Sequence, residues 1–497
     1  MSLNFSFDHL RGQVKGERRD RPEPDAPFRI LVAGDFSGRG NRGQVEPLLG
    51  RAARKADIDT FETLMREWKT RIGLAVGSEH AFGIGFADLE AFHPDEIYQR
   101  VELFGALRNL RARLVNPKTS AAAAQEVRGW GSPLPATDLE AKPPEAPATP
   151  ESEFESLLGG STGSSPTGPT AVVDAMIRDL ISPHILPAAE PDLDELVSVV
   201  DQTISEQMRS ILHDRDFAQL EANWRGLHQL ITGLELGEEL EIYALDITRD
   251  ELKADICDNA ARGLTEIFTE RGQGSAGGTP WSVICLLERF GANEADAQLI
   301  GGLGMCAHAG GAMLLAGACD DLAGVGSIAE QPRPENWNQS PGPEAAARWQ
   351  VVRALPESAS VGLALPRVLM RLPYSQRTDP IESFDFDECP AGSSHESLLW
   401  GNPAVVTTLL LGRAFTERGW SLDGQAGGDV DGLPVYVPDT SEDRTAMPCA
   451  EAWLTDSAAM KLLEKGLIPV LSVQHRDAVR VPRLISITGG AIKASWA

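Results

Sequence analysis

Positive charge is scarce in this chain: 45 Lys and Arg stand against 72 Asp and Glu, a formal net charge of −27. Binding to a phosphate backbone needs clustered cations that release counterions, so the deficit excludes nucleic acid as a partner and disfavours anionic membrane surfaces. Long apolar runs are also missing. No stretch reaches the roughly 18 apolar residues of a membrane span, and the opening MSLNFSFDHLRGQVKGERRD has no run of signal-peptide length. These absences predict a cytoplasmic protein with no direct membrane insertion. Cysteine is sparse and scattered (Cys257, Cys285, Cys306, Cys319, Cys389 and Cys449), with no CxxC pair and no Cys/His cluster. Reduced, mostly buried thiols are expected, with neither a disulfide framework nor a zinc site. Aromatic residues make up only 6% of the chain against 48 glycines, so backbones should approach closely in places.

Signatures of catalysis are absent too. There is no HExxH and no acid pair at a telling spacing. FRILVAGDFSGRG reads as a buried strand running into a glycine turn. It lacks the Lys-Ser/Thr of a P-loop. Cys306 and His308, two apart in GGLGMCAHAGG, have small apolar neighbours that suit tight helix packing better than a nucleophile and its base. No cofactor and no catalytic residue is expected. A soluble α/β enzyme or ligand-binding protein is the competing class, and saturable ligand binding lost on changing His228 or Cys306 would favour it.

What the chain does have is length and pattern. Its 497 residues can build two or more domains, each with its own core. Leu3, Phe5 and Phe7 alternate with polar residues, the period of a strand with one apolar face, and turn-forming charged residues follow. Such a tethered strand can pair with another chain or serve as an ordinary edge strand. DTFETLMREW and HPDEIYQRVELFGALRNLRARL show helical periodicity, the latter with Ile97, Val101, Phe104, Leu107 and Leu110 on one stripe. From 118 to 170 the composition turns to Ala, Pro, Ser, Gly and Glu and predicts a flexible linker. Inside it, SEFESLLGG puts Phe154, Leu157 and Leu158 on one helical face, a docking peptide or merely sticky loop residues. Strands and helices alternate beyond the linker. LEIYALDIT precedes a Thr248/Glu251 capping box, and WSVICLLERF, ADAQLIGGLGMCAHAGG and AMLLAGA follow as strand, helix and strand. The pattern predicts an α/β sheet with mainly crossover connections. The expected layout is an N-terminal strand arm (1–25), a small domain (26–117), a disordered linker (118–170) and a large domain (171–497).

One stretch looks chemical: HDRDFAQLEANWRGLHQL, from His213. On a helix, Phe217, Leu220, Trp224, Leu227 and Ile231 form a core stripe with Glu221 and His228 at its edge, while Asp214 and Asp216 sit where a cap and first-turn acids belong. His213 and His228 are four turns apart and cannot share a metal ion from one straight helix. Arg225 beside Trp224 reads as a structural ion-pair or stacking residue.

This helix, with LEIYALDITRDEL, SVGLALPRVLMRLPYS, LLWGNPAVVTTLLLGRAFTERGW and LLEKGLIPVLSV, resembles the large sheath subunit of bacterial type VI secretion systems. The specific parts are Leu220-Glu221 with Trp224-Arg225-Gly226-Leu227-His228, and Leu399-Trp400-Gly401-Asn402-Pro403-Ala404 followed by Phe415 and Trp420. The first hundred or so residues resemble the small sheath subunit, so the chain looks like a fusion of the two. The resemblance implies sheath-type mixed α/β domains with a terminal exchange strand. It implies a structural helical homopolymer that forms a contractile tube around an inner-tube protein and meets baseplate components. Neighbouring protomers would be tied by exchanged strands, a role that falls to Leu3, Phe5 and Phe7. Family members are recycled by an AAA-type unfoldase that binds a short helix where SEFESLLGG stands, cut short here at Gly159. Large subunits continue past the point where this chain ends at TGGAIKASWA, so the family's C-terminal segment is expected to be missing. A non-contracting scaffold or baseplate-like element is the alternative that this departure raises.

Overall fold

The computed structural model describes residues 7–11, 14, 22–23, 25–76, 80–130, 169–184, 192–269, 280–339, 342–438 and 446–497. The chain forms two compact units, one from residues 1–73, 83–94 and 211–497, the other from 74–82 and 95–210. This differs from the layout expected from the sequence. Each unit draws on residues from both sides of the predicted linker, so 26–117 and 171–497 are not separate domains.

In chain order the N-terminal region contributes α1 (Asp8–Arg11), β1 (Phe28–Gly34), β2 (Arg54–Lys55), α2 (Phe61–Glu67) and the strands β3 (Arg71–Val76) and β4 (His80–Gly85). Five helices follow: α3 (Pro94–Arg100), α4 (Glu102–Val115), α5 (Ser120–Trp130), α6 (Pro169–Ile181) and α7 (Leu193–Leu212). Next come α8 (Arg215–Gly233), β5 (Leu240–Asp246), α9 (Arg249–Asp258), α10 (Arg262–Thr269), β6 (Val283–Phe290), α11 (Glu294–Gly310) and β7 (Met313–Ala318). The remainder holds α12 (Pro343–Ala354), β8 (Val361–Leu365), β9 (Val368–Leu369), β10 (Trp400–Gly401), α13 (Ala404–Arg418), β11 (Ala426–Asp431), α14 (Asp456–Glu464), β12 (Ile468–Pro469), β13 (Leu471–Ser472) and β14 (Ala478–Arg483).

The first unit is organised on a seven-stranded sheet of order β12-β8-β7-β6-β1-β5-β2, parallel except for β2. β1 lies between β5 and β6, with Phe28 opposite Leu240, Gly34 opposite Asp246 and Ile30 opposite Val283. Helices cover both faces of a parallel sheet, so its strands read as mainly apolar runs such as FRILVAG, buried along its whole length, with Arg29 lying over the Tyr243 and Trp281 rings. A strand from the small-subunit-like region is therefore a central strand of the sheet built by the large-subunit-like region. Neighbouring residues reinforce the insertion. The Phe28 ring stacks on Phe415 at 4.7 Å, Trp420 Nε1 donates to the Ala26 carbonyl at 2.9 Å, and Trp224 Nε1 donates to the Phe36 carbonyl at 2.8 Å.

The small residues of α11 let other elements come close. A Cβ at Gly302 would lie 2.7 Å from Ile256 Cγ2, and one at Gly301 only 2.2 Å from Phe7 Cζ. Phe7 is thus seated in the protomer's own core, 4% exposed, with Leu10 fully buried beside it. It is followed at once by α1 rather than by more strand. This corrects the expectation for Phe7: burying one such ring contributes about 1.5–3 kcal/mol to its own fold. Leu3 and Phe5, like Phe154, Leu157 and Leu158, lie outside the described residues.

In the second unit α4, α5 and α6 pack on one another, and Arg111 of α4 pairs with Asp201 of α7. Two expectations need adjusting here. The single helix expected from Pro94 is interrupted at Val101, which is extended (φ −82°, ψ 125°), although all five stripe residues stay buried; a β-branched residue gives up helical backbone easily. The start of the predicted linker is instead α5. Its four consecutive alanines favour helix, and Ala123, Ala124 and Val127 are buried.

Candidate functional site

Three ionic clusters surround α8, the turn after β1 and Trp400. α8 begins where expected, with the Asp214 carboxylate accepting from the N–H groups of Asp216 and Phe217, and its stripe of Phe217, Leu220, Trp224, Leu227 and Ile231 is buried. Glu221 departs from expectation by being fully buried. Its Oε1 accepts from Arg225 Nε at 2.7 Å and from Arg371 Nε at 2.8 Å. Arg371 also grips Glu388 with two bonds of 2.7 and 3.0 Å, and its guanidinium lies 4.1 Å over the Tyr374 ring. Burial works to raise the Glu221 carboxyl, but the Arg371 and Arg225 guanidiniums outweigh it and hold the carboxyl below its usual range. Two arginines thus balance two carboxylates, with no base left free. His213 Nε2 lies 3.9 Å from Glu388, while burial and then Arg225 push the His228 imidazole down. The histidines do not converge.

The glycine turn after β1 holds an anion, but that anion belongs to the chain. The N–H groups of Phe36 and Ser37 donate to Asp246 Oδ1 at 2.9 and 3.0 Å, at the carboxyl end of β5. Arg39 pairs with Asp246 and with Glu251, which Arg51 also grips at 2.6 Å. Glu251 accepts from Thr248 N at 3.0 Å and completes the predicted capping box. The turn needs glycine at Gly38, where φ is +70° and a Cβ would meet the Arg71 carbonyl at 2.2 Å.

The third cluster surrounds Trp400. His395, Glu396 and Glu451 offer ligand atoms close enough for a metal ion. A cation already sits there: Arg367 bonds Glu396 at 2.7 Å and Glu451 through Nε at 2.8 Å. His395 first, and then Arg367, hold the Glu396 carboxyl down to about 2. Trp400 stacks on the His395 ring at 4.6 Å and donates from Nε1 to the His395 carbonyl. Asn402 donates to the Glu288 carbonyl at 2.9 Å and accepts from Ala404 N, fixing Pro403 at the start of α13. Elsewhere, burial pushes the Cys306 thiol up to about 12, and its nearest polar partner is Thr265, while His308 bonds Ser360.

A cavity of about 330 Å³ lies between Val45–Leu49 and α9–α10. Its walls are mainly apolar. Glu251 is held by Arg39 and Arg51, and Asp255 accepts from the N–H groups of Gly263 and Leu264 at 3.0 and 2.8 Å. Sequence reasoning missed Arg39, Arg367, Arg371, Glu388 and Glu451. Only Glu221, in a sequence position flanked by core residues, hinted that a buried partner must exist.

Two family models match the chain in order. Residues 15–129 match "Type VI secretion system, VipA, VC_A0107 or Hcp2", and residues 194–482 match VipB, "EvpB/VC_A0108, tail sheath N-terminal domain". The type VI secretion system sheath protein TssC1 of Pseudomonas aeruginosa is 29% identical over 344 residues, covering 66% of this chain and 68% of that protein. Among the described residues no helix is long and apolar enough to cross a membrane. With the tail-sheath match spanning more than half its length, the chain belongs to the VipB family of type VI secretion sheath proteins and is a structural sheath protomer, with a VipA small-subunit region fused ahead of its large-subunit region.

Proposed function

We propose that this protomer assembles, in the cytoplasm and without catalytic activity, into a helical contractile tube around an inner-tube protein, and that it meets baseplate components at the tube's end. The observation that carries the reading is the order of the two sheath regions on one chain, joined through a single sheet in which β1 is central. Strand exchange between copies falls to Leu3 and Phe5, since Phe7 is committed to its own core. Phe154, Leu157 and Leu158 remain the segment proposed to meet an AAA-type unfoldase.

An exchanged strand of a few residues makes about four ladder bonds of roughly 0.5–1.5 kcal/mol each, whereas immobilising a protomer costs about 4–15 kcal/mol. Broad packing between protomer faces must therefore supply most of the assembly energy, and the strand keeps copies joined while they shift. Negative-stain microscopy of the purified chain, with and without an inner-tube protein, tests the reading. Tubes in extended and shortened forms are expected; isolated protomers under every condition would refute it.

A further inference from the structure

We infer that Phe7 and Leu10 are an anchor that fixes where the exchange strand leaves the protomer, with the slot over Gly301 of α11 as its receptor. The inference rests on the strand-exchange reading of Leu3 and Phe5. Phe7, Leu10 and Val14 recur at steps of three and four, a spacing that places them along one side of a helical turn. Leu10 N donates to the Phe7 carbonyl at 3.0 Å and Val14 N to the Leu10 carbonyl at 2.9 Å, so the turn is formed. Phe7 and Leu10 are buried in the main core and Val14 packs against it. The slot is made by an absent side chain: a Cβ at Gly301 would come within 2.2–2.4 Å of two Phe7 ring atoms.

An anchor at residue 7 changes the reach of what precedes it. Six residues extend at most about 20 Å, so the edge that accepts Leu3 and Phe5 on a neighbouring copy lies within that distance of the donor's slot. Without the anchor, the fixed point becomes β1. The tether to the middle of residues 1–6 then lengthens from three residues to twenty-four. Local concentration falls roughly as the −3/2 power of tether length, so the arm's supply to its acceptor drops about 20-fold.

Gly301→Ala crowds the ring out while leaving the arm's sequence intact, and Phe7→Ala empties the slot. Phe7→Leu partly refills it. In wild-type full-length protein, trypsin should cleave after Arg11 slowly. In both disrupting variants cleavage should be faster, and the concentration needed for polymer, read by sedimentation, should rise about 20-fold, with Phe7→Leu in between. Fast Arg11 cleavage in the wild type would overturn the anchor, and this readout does not depend on any variant folding. Wild-type assembly by both disrupting variants would overturn it as well. Deleting residues 2–6 separates the two ideas: polymer that forms normally without them sinks strand exchange itself, whereas lost polymer alongside normal assembly of Phe7→Ala and Gly301→Ala sinks the anchor alone.

Discussion

Glu221→Gln isolates the contribution of the buried four-residue network. The substitution nearly preserves shape, so it opens no cavity, but it removes the Glu221 charge and leaves Arg371 with Glu388 and Arg225 with the Tyr374 hydroxyl, in a site where Glu221, Arg371 and Glu388 are each at most 8% exposed. Removing one partner of a buried pair costs about 3–5 kcal/mol, because the remaining charge stays buried without compensation. For a cooperative unit of this size that corresponds to a melting shift of about 5 °C downward at pH 7. The folded-state Glu221 carboxyl is held below its ordinary value of 4.5. Its stabilisation is therefore fully present above that pH and is lost as pH falls through the depressed value. The gap between wild type and variant should narrow on acidification below about pH 4.5. Differential scanning fluorimetry at matched scan rates from pH 3.5 to 8 reads both effects. A variant melting within 1 °C of wild type at pH 7, or a gap that widens in acid, would refute the argument that the network is a balanced ionic core.

Three further outcomes follow from the same geometry. A protease site placed between residues 131 and 168 and then cut should leave the two pieces migrating together on size exclusion, because β1 is paired on both sides within the sheet; separation of the pieces would contradict the shared sheet. Gly38→Ala should destabilise the fold by at least about 1–3 kcal/mol, given its positive φ and the 2.2 Å approach to the Arg71 carbonyl, and unchanged melting would show that the turn relaxes at no cost. At pH 8 maleimide should modify the exposed Cys257 far faster than Cys285 and Cys306, whose thiols burial pushes up to about 12. Mass spectrometry that finds Cys306 labelled first would overturn its assignment as inert packing.

Local features were legible in the sequence because they are decided locally. The Asp214 cap, the Thr248/Glu251 capping box and the apolar stripe of α8 each depend on residues within a few turns of one another. The strands of the sheet were legible as apolar runs, but their order was not. β1 pairs with β5 across some 210 residues, and nothing in either run names its neighbour. The ionic clusters were hidden for the same reason, since Glu221 and Arg371 stand 150 residues apart. Phe7 was misplaced because two periods overlap on it. Leu3, Phe5 and Phe7 alternate as a strand does, while Phe7, Leu10 and Val14 follow helical spacing, and the space left by Gly301 decides for the second.

The position of β1 gives the fusion a physical meaning. Were the two sheath regions separate chains, inserting a central strand would first have to offset the roughly 4–15 kcal/mol cost of bringing two molecules together. On one chain that step becomes intramolecular, at an effective concentration set by the connecting residues. Stoichiometry is then fixed at one small region per large region, and every protomer can complete its sheet without waiting for a partner. The covalent join thus strengthens the inside of the building block.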